Sequence, residues 1–104
     1  ESFAAQLAQV VVPKTDFTDV TPFLYYLRVP AESRDELRAH LKARGVDTGI
    51  HWQPGHWFTL LKDCRRGDLS VTEDVGRRIL SLPLHSCMRA EDRERVVEGV
   101  KSFF

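Results

Sequence analysis

Phe23-Leu-Tyr-Tyr-Leu-Arg-Val29, closed by Pro30, is the run from which the fold can be read. Aromatic and branched residues crowd it, its length suits one strand, and the proline stops it, so it predicts a buried, central strand. A helix is expected next. Ser33-Arg-Asp-Glu36 has the spacing of a capping box, in which the Ser33 hydroxyl and the Glu36 carboxylate each satisfy a free amide of the first turn. Leu37 and Leu41 share a face, Asp35 and Glu36 come early, and Lys42 and Arg44 come late, as the helix dipole prefers. Gly45 supplies the left-handed residue on which helices commonly end.

Upstream, Phe3, Leu7 and Val10 fall on one helical face with Ser2 in the cap position, and Val10-Val-Val-Pro13 ends that segment because proline cannot continue the ladder. Lys14 to Thr21 reads as a polar connection. Downstream, Val46-Asp-Thr-Gly-Ile50 is short and extended and leads into His51-Trp-Gln-Pro-Gly-His-Trp57, whose Pro, Gly and four large rings suit a structured loop. Phe58 to Asp63 fits a helical turn and Arg65-Arg-Gly-Asp68 an exposed bend. Val71, Val75 and Ile79, with Leu80 beside them, form a helical stripe with Thr72-Glu-Asp74 near its start. Leu82-Pro-Leu84 is extended. Ala90 to Phe104 is a closing helix with Val96, Val97, Val100, Phe103 and Phe104 on one side, and Arg89 is a poor cap for it. The order predicts an α+β fold, a two-layer small domain with helices packed on a small, mostly antiparallel sheet.

With 104 residues the chain has room for one compact domain. Its 15 Lys plus Arg balance 15 Asp plus Glu, so no basic surplus draws it to nucleic acid or to an anionic membrane. No apolar run approaches a bilayer span, and Glu1-Ser2-Phe3 lacks the order of a signal peptide, so a soluble, cytoplasmic protein is expected. Cys64 and Cys87, without a CxxC, make no disulfide framework and fit a reducing compartment.

The chemistry concentrates in the loop. His51 and His56 lack the i, i+4 spacing of a zinc helix and have no third ligand nearby, so no metal site is predicted. A nucleophile built from Cys64 or Cys87 with a histidine lacks an activating pattern, and an idle thiol is the simpler reading. Phosphate-binding glycine loops and the nucleophile elbow are absent by signature. Gly45, Gly49 and Gly55 read as a helix stop and loop bends, His40 as a surface residue and His85 as a buried turn histidine. Two readings of the loop stand side by side. Trp52 and Trp57 are anchors pinning it to the domain while the histidines bond to backbone, or the loop is a pocket wall offering flat apolar faces with polar edges.

Taken in order, Phe23 to Val29, Ser33 to Gly45, Val46-Asp-Thr-Gly-Ile-His-Trp-Gln-Pro-Gly-His56, Arg78-Ile-Leu-Ser-Leu-Pro-Leu-His85 and Glu91-Asp-Arg-Glu-Arg-Val-Val97 resemble the C-terminal small domain of the DegT/DnrJ/StrS family of sugar aminotransferases. The family pattern is a helix ending in L-x-x-x-G-[IV], an H-[YF]-x-P-x-H loop, an [IL]-L-[SC]-L-P-[LM]-H stretch and an E-[DE]-x-x-x-[VI] helix. Trp52 stands where Tyr or Phe is usual, Trp57 where Leu is usual, Tyr25 for a frequent His and Arg89 for a Thr or Ser cap. The first three departures bear on the identity of the substrate.

The resemblance implies a fold type I, pyridoxal-phosphate-dependent parent, usually a homodimer, that moves an amino group from an amino acid such as glutamate to a keto group of a nucleotide-linked sugar. It implies that the Schiff-base lysine belongs to an N-terminal cofactor domain absent here, since Lys14, Lys42, Lys62 and Lys101 lie in segments unlike the cofactor-lysine region. Residues 1–13 are then the tail of the inter-domain helix and its exit, and 14–104 the small domain. On this resemblance the chain is a domain separated from its enzyme, expected to hold no pyridoxal phosphate and to be inactive alone. Its binding residues for the sugar are expected in the loop: His51, Trp52, His56 and Trp57. Exposed apolar side chains among Phe3, Leu7, Phe103 and Phe104 would favour self-association. The alternative is a non-catalytic regulatory or ligand-binding and association module of the same fold.

Overall fold

A computed structural model describes residues 9–104. The order is β1 (Tyr25–Arg28), α1 (Arg34–Ala43), a single 3-10 turn (Gly55–Trp57), α2 (Ser70–Arg78), β2 (Ile79–Leu82) and α3 (Ala90–Lys101). Strands β1 and β2 pair antiparallel, with Leu27 opposite Leu80 and Tyr25 opposite Leu82. One further bridge flanks each strand, Val11 on Arg28 and Gly49 on Ser81. β1 is therefore central, as its sequence predicts. It is less buried than expected: Phe23 is 76% exposed and Tyr26 also reaches solvent.

The core lies on one side of this sheet. Leu27, Leu80 and Leu82 meet Leu37 and Leu41 of α1 and Val96 and Val100 of α3, with Val10, Val29 and Val46 closing the edges. Two layers result, because a sheet and two helices can each hide an apolar face only against the other. Burying each of these side chains contributes about 1.5–3 kcal/mol. α1 and α3 meet at their ends through His40, whose Nε2 lies 3.0 Å from Ser102 Oγ and whose ring meets Phe103 edge to face at 5.4 Å. The expected surface histidine thus belongs to a helix contact. Phe103 is partly buried against the core and Phe104 is 38% exposed, while Phe3 and Leu7 lie outside the described residues.

Several local expectations change. Ile79 and Leu80 do not extend the second helix. They open β2, all four of whose residues are buried, and Val71 on the supposed stripe is 76% exposed. A short apolar run fits either period, and here pairing with β1 decides it. Ser33 makes no side-chain cap; its backbone is already helical, its N–H donates to the Pro30 carbonyl and its carbonyl accepts from Leu37. At α3 the weak Arg89 cap is compensated from within the helix, since Asp92 Oδ2 accepts the Arg89 backbone N–H at 3.1 Å and the guanidinium at 3.2 Å. The guanidinium bond, followed by the backbone one, holds the Asp92 carboxyl below its ordinary value. Helix α1 ends as predicted, with Gly45 at φ +74° and Val46 N–H reaching back to Leu41 O. His85 is a turn residue as expected, yet exposed.

No helix among the described residues is long and apolar enough to cross a membrane. Leu41 is fully buried, so we predict that Leu41→Ala lowers unfolding stability by about 2–5 kcal/mol. Val71→Ala should change it by less than about 0.5 kcal/mol. Denaturant melts of both variants check the pair, and a large loss at Val71 would restore the helical stripe.

Candidate functional site

The loop after α1 is held at its start by backbone. Gly49 and Ser81 exchange N–H···O bonds of 3.0 and 2.8 Å, which fixes the chain two residues before His51. The His51–Trp52 peptide is cis. Pro54 is buried and sits on Gly76 of α2, where a Cβ would fall 2.5 Å from Pro54 Cγ. Glycine at 76 is thus what lets the proline ring dock. The 3-10 turn closes through Trp57 N–H to Pro54 O at 3.0 Å and Phe58 N–H to Gly55 O at 3.1 Å.

The second half of the loop is committed to α2. His56 Nε2 lies 2.8 Å from Glu73 Oε1, with the imidazole side chain only 10% exposed. That hydrogen bond is the main reason the Glu73 carboxyl is held below its ordinary value, and Arg77, 3.4 Å from Oε2, adds to it. Trp57 is half-buried beside Gly76, and the Arg77 guanidinium carbon stands 5.5 Å from the centre of its ring. His56 therefore bonds a carboxylate, not the backbone as the anchor reading supposes.

The first half faces elsewhere. The His51 ring lies over Gly49, whose missing side chain it replaces, and its Nδ1 is buried without a hydrogen-bond partner. Trp52 meets His51 edge to face at 5.3 Å and Phe23 at 6.3 Å, and is 65% exposed. Phe23 and His51 line an open cavity of about 460 Å³ together with Thr48, Gly49, Ser81 and Leu84. The four residues named from sequence thus divide into a pair clamped on α2, His56 and Trp57, and a second pair, His51 over Gly49 and Trp52 against Phe23.

Sequence reasoning missed Glu73, Gly76 and Phe23. Glu73 reads as a helix-start acid, Gly76 as ordinary helix and Phe23 as strand core; only the tertiary contacts assign them to the loop. α2 is in turn tied to the other layer, for Arg34 Nη1 donates to Gly76 O at 2.9 Å and Arg78 Nε to Val29 O at 3.2 Å. Cys64 and Cys87 are free and exposed. Among the described residues no three His, Cys, Asp or Glu side chains gather as a metal site.

A cofactor lysine needs a desolvated pocket to lower its pKa and free its amine. Lys14, Lys42 and Lys62 are exposed, and Lys101 pairs with Glu98 at 3.5 Å. The described residues of this chain therefore do not fit a pyridoxal-phosphate cradle.

Residues 2–101 match the DegT/DnrJ/EryC1/StrS aminotransferase family. The chain is 34% identical, over 97 residues, to the dTDP-3-amino-3,4,6-trideoxy-alpha-D-glucose transaminase of Streptomyces venezuelae, covering 90% of this chain and 24% of that protein. The solved aminotransferase TlmJ from Streptoalloteichus hindustanus superposes with a TM-score of 0.81 at 25% identity, over 97% of this chain and 28% of that one. NtdA from Bacillus subtilis, solved with bound cofactor PMP, gives 0.79 at 26% identity, over 97% and 26%. The chain spans about a quarter of the length of each. Matched over nearly all its residues, it belongs to the DegT/DnrJ/EryC1/StrS aminotransferase family.

Proposed function

We propose that residues 14–104 are the small domain, and 1–13 the tail of the joining helix, of a pyridoxal-phosphate-dependent aminotransferase. Its parent moves an amino group from an amino acid, glutamate being the proposed donor, to a keto group of a nucleotide-linked sugar. Homology supports the reaction class, and the transaminase from Streptomyces venezuelae, by its name, supports a dTDP-sugar. The cofactor and its lysine are assigned to the part of the parent outside this chain, which agrees with the surface positions of the lysines here.

The observation that carries the reading is the divided loop. With His56 and Trp57 occupied on α2, His51 and Phe23 are left lining one cavity, with the exposed Trp52 ring against Phe23. Flat apolar rings beside a polar edge suit a sugar, whose faces are C–H and whose rim is hydroxyl. In this proposal Trp52 and His51 touch the substrate, and His56 and Trp57 are positioning residues that hold the loop at the right height. The dimer of the parent is part of the same proposal.

Three outcomes are expected. Adding pyridoxal phosphate to this chain should give no stable internal-aldimine absorption band; such a band would overturn the placement of the cofactor lysine. Titration with dTDP-glucose should quench Trp52 emission, and Trp52→Ala should abolish the response while Trp57 emission stays unchanged. A response carried by Trp57 alone would move the site to the clamped half. The third concerns Glu73. Because its folded pKa is depressed, the unfolded chain binds that proton more readily. The stabilisation is complete above the ordinary glutamate pKa of about 4.3 and is lost as pH falls through the lower folded value. Glu73→Gln should therefore flatten the acid limb of the stability curve, and parallel curves for the two proteins would show that the His56 bond is not made in solution.

A further inference from the structure

We propose that Ser81 and His51 form a hydroxyl-recognition subsite for the sugar ring, which adds Ser81 to the residues that determine specificity. The proposal rests on the sugar-binding reading above. Ser81 is 3% exposed in an otherwise apolar strand, and its Oγ is buried with no hydrogen-bond partner. His51 Nδ1 is in the same condition. A buried polar atom without a partner is disfavoured, and natural structures keep few of them. Both residues are among those that line one cavity, and two enclosed polar atoms without partners beside it are the observation to be explained.

Their meeting follows from backbone geometry. Gly49 and Ser81 are partners across an antiparallel bridge, and partners across such a bridge project their side chains to the same face. Residue 49 has no side chain, and the His51 ring occupies that place so closely that a Cβ at 49 would collide with His51 Cε1. The imidazole is thereby laid over the bridge, on the face to which the Ser81 hydroxyl points. The opposite face of β2, with Leu80 and Leu82, is spent on the core.

The chemistry of the cavity selects the ligand group. Its lining contains no Lys or Arg and one carboxylate, Asp47, which disfavours a phosphate or a carboxylate. A serine hydroxyl both donates and accepts, and a neutral imidazole nitrogen does one or the other according to its tautomer. A ligand hydroxyl, able to accept from one and donate to the other, satisfies both. Thr48 adds a further hydroxyl to the wall, and Phe23, in contact with Trp52, supplies an apolar face for the ring that carries the ligand group. The subsite therefore takes a neutral sugar hydroxyl, and the diphosphate of a nucleotide sugar lies outside it.

The test compares the wild-type chain with Ser81→Ala, using dTDP-glucose and dTDP as probes and Trp52 emission and the amide NMR shifts of Gly49 and residue 81 as readouts. Ser81→Ala should melt at the wild-type temperature or above, since it removes a hydroxyl that nothing satisfies. It should weaken dTDP-glucose about 3- to 10-fold, the range set by one neutral hydrogen bond, and leave dTDP unchanged. Equal dTDP-glucose affinity in both proteins, with the Trp52 response intact, would overturn the subsite while sparing the sugar-binding reading. Equal weakening of both probes would place the hydroxyl on the nucleotide and overturn it as well. A lower melting temperature would show that the hydroxyl serves folding, and the subsite would fall on that result too. No response of the wild type to dTDP-glucose would remove the sugar-binding reading and this proposal together.

Discussion

Strand β2 is buried from both sides, and each side sets one half of the molecule. Leu80 and Leu82 point into the core shared with α1 and α3, while Ile79 and Ser81 point to the other face, where Gly49 and the loop approach. Side chains alternate along a strand, so a slip of one residue would send serine into the core and leucine under the loop. The pairing of Leu27 with Leu80 therefore fixes the packing and the site in one step. Apolar burial on the core side enforces a register that the polar side could not enforce for itself.

From that strand the position of the loop is transmitted through α2, which runs directly into β2. The start of α2 is set by Asp68, whose carboxylate accepts the Ser70 N–H at 2.9 Å. Its end is gripped by Arg34 and Arg78, which reach the Gly76 and Val29 carbonyls. Pro54, His56 and Trp57 then dock on the helix so fixed. Pro54 is the dividing point: His56 and Trp57 after it are clamped on α2, and before it His51 lines the cavity while Trp52 is exposed against Phe23. A functional surface built this way needs few strong contacts of its own, because the scaffold holds its backbone from both ends.

Much of this is legible from local chemistry. Leu37, Leu41 and Gly45 announce a helix and its end because periodicity and a left-handed stop are local properties, and Phe23 to Val29 announces a strand for the same reason. Ile79 misleads because Val71, Val75 and Ile79 match a helical period by coincidence, and pairing with a distant strand is invisible in a window of that size. The α3 cap misleads because the usual hydroxyl is missing at residue 89, while a carboxylate three residues on accepts the Arg89 N–H and ties the helix start from the other direction. At the site, the crowding of rings in His51–Trp57 stands out by composition, and four short motifs in order are enough to indicate the family. The division of the loop is not legible. It depends on Gly76 and Glu73, which carry no local signal, and on Ser81, which passes for an ordinary small residue inside an apolar run.

The loop is split at Pro54 into a half that exposes Trp52 and a half clamped on α2, and the two tryptophans report one half each. Acrylamide quenching of Trp57→Phe and Trp52→Phe, each leaving a single indole, measures the split directly. Trp52 alone should emit to the red and be readily quenched, and Trp57 alone should emit to the blue and be protected. Equal accessibility of the two, or protection of Trp52 with exposure of Trp57, would contradict it.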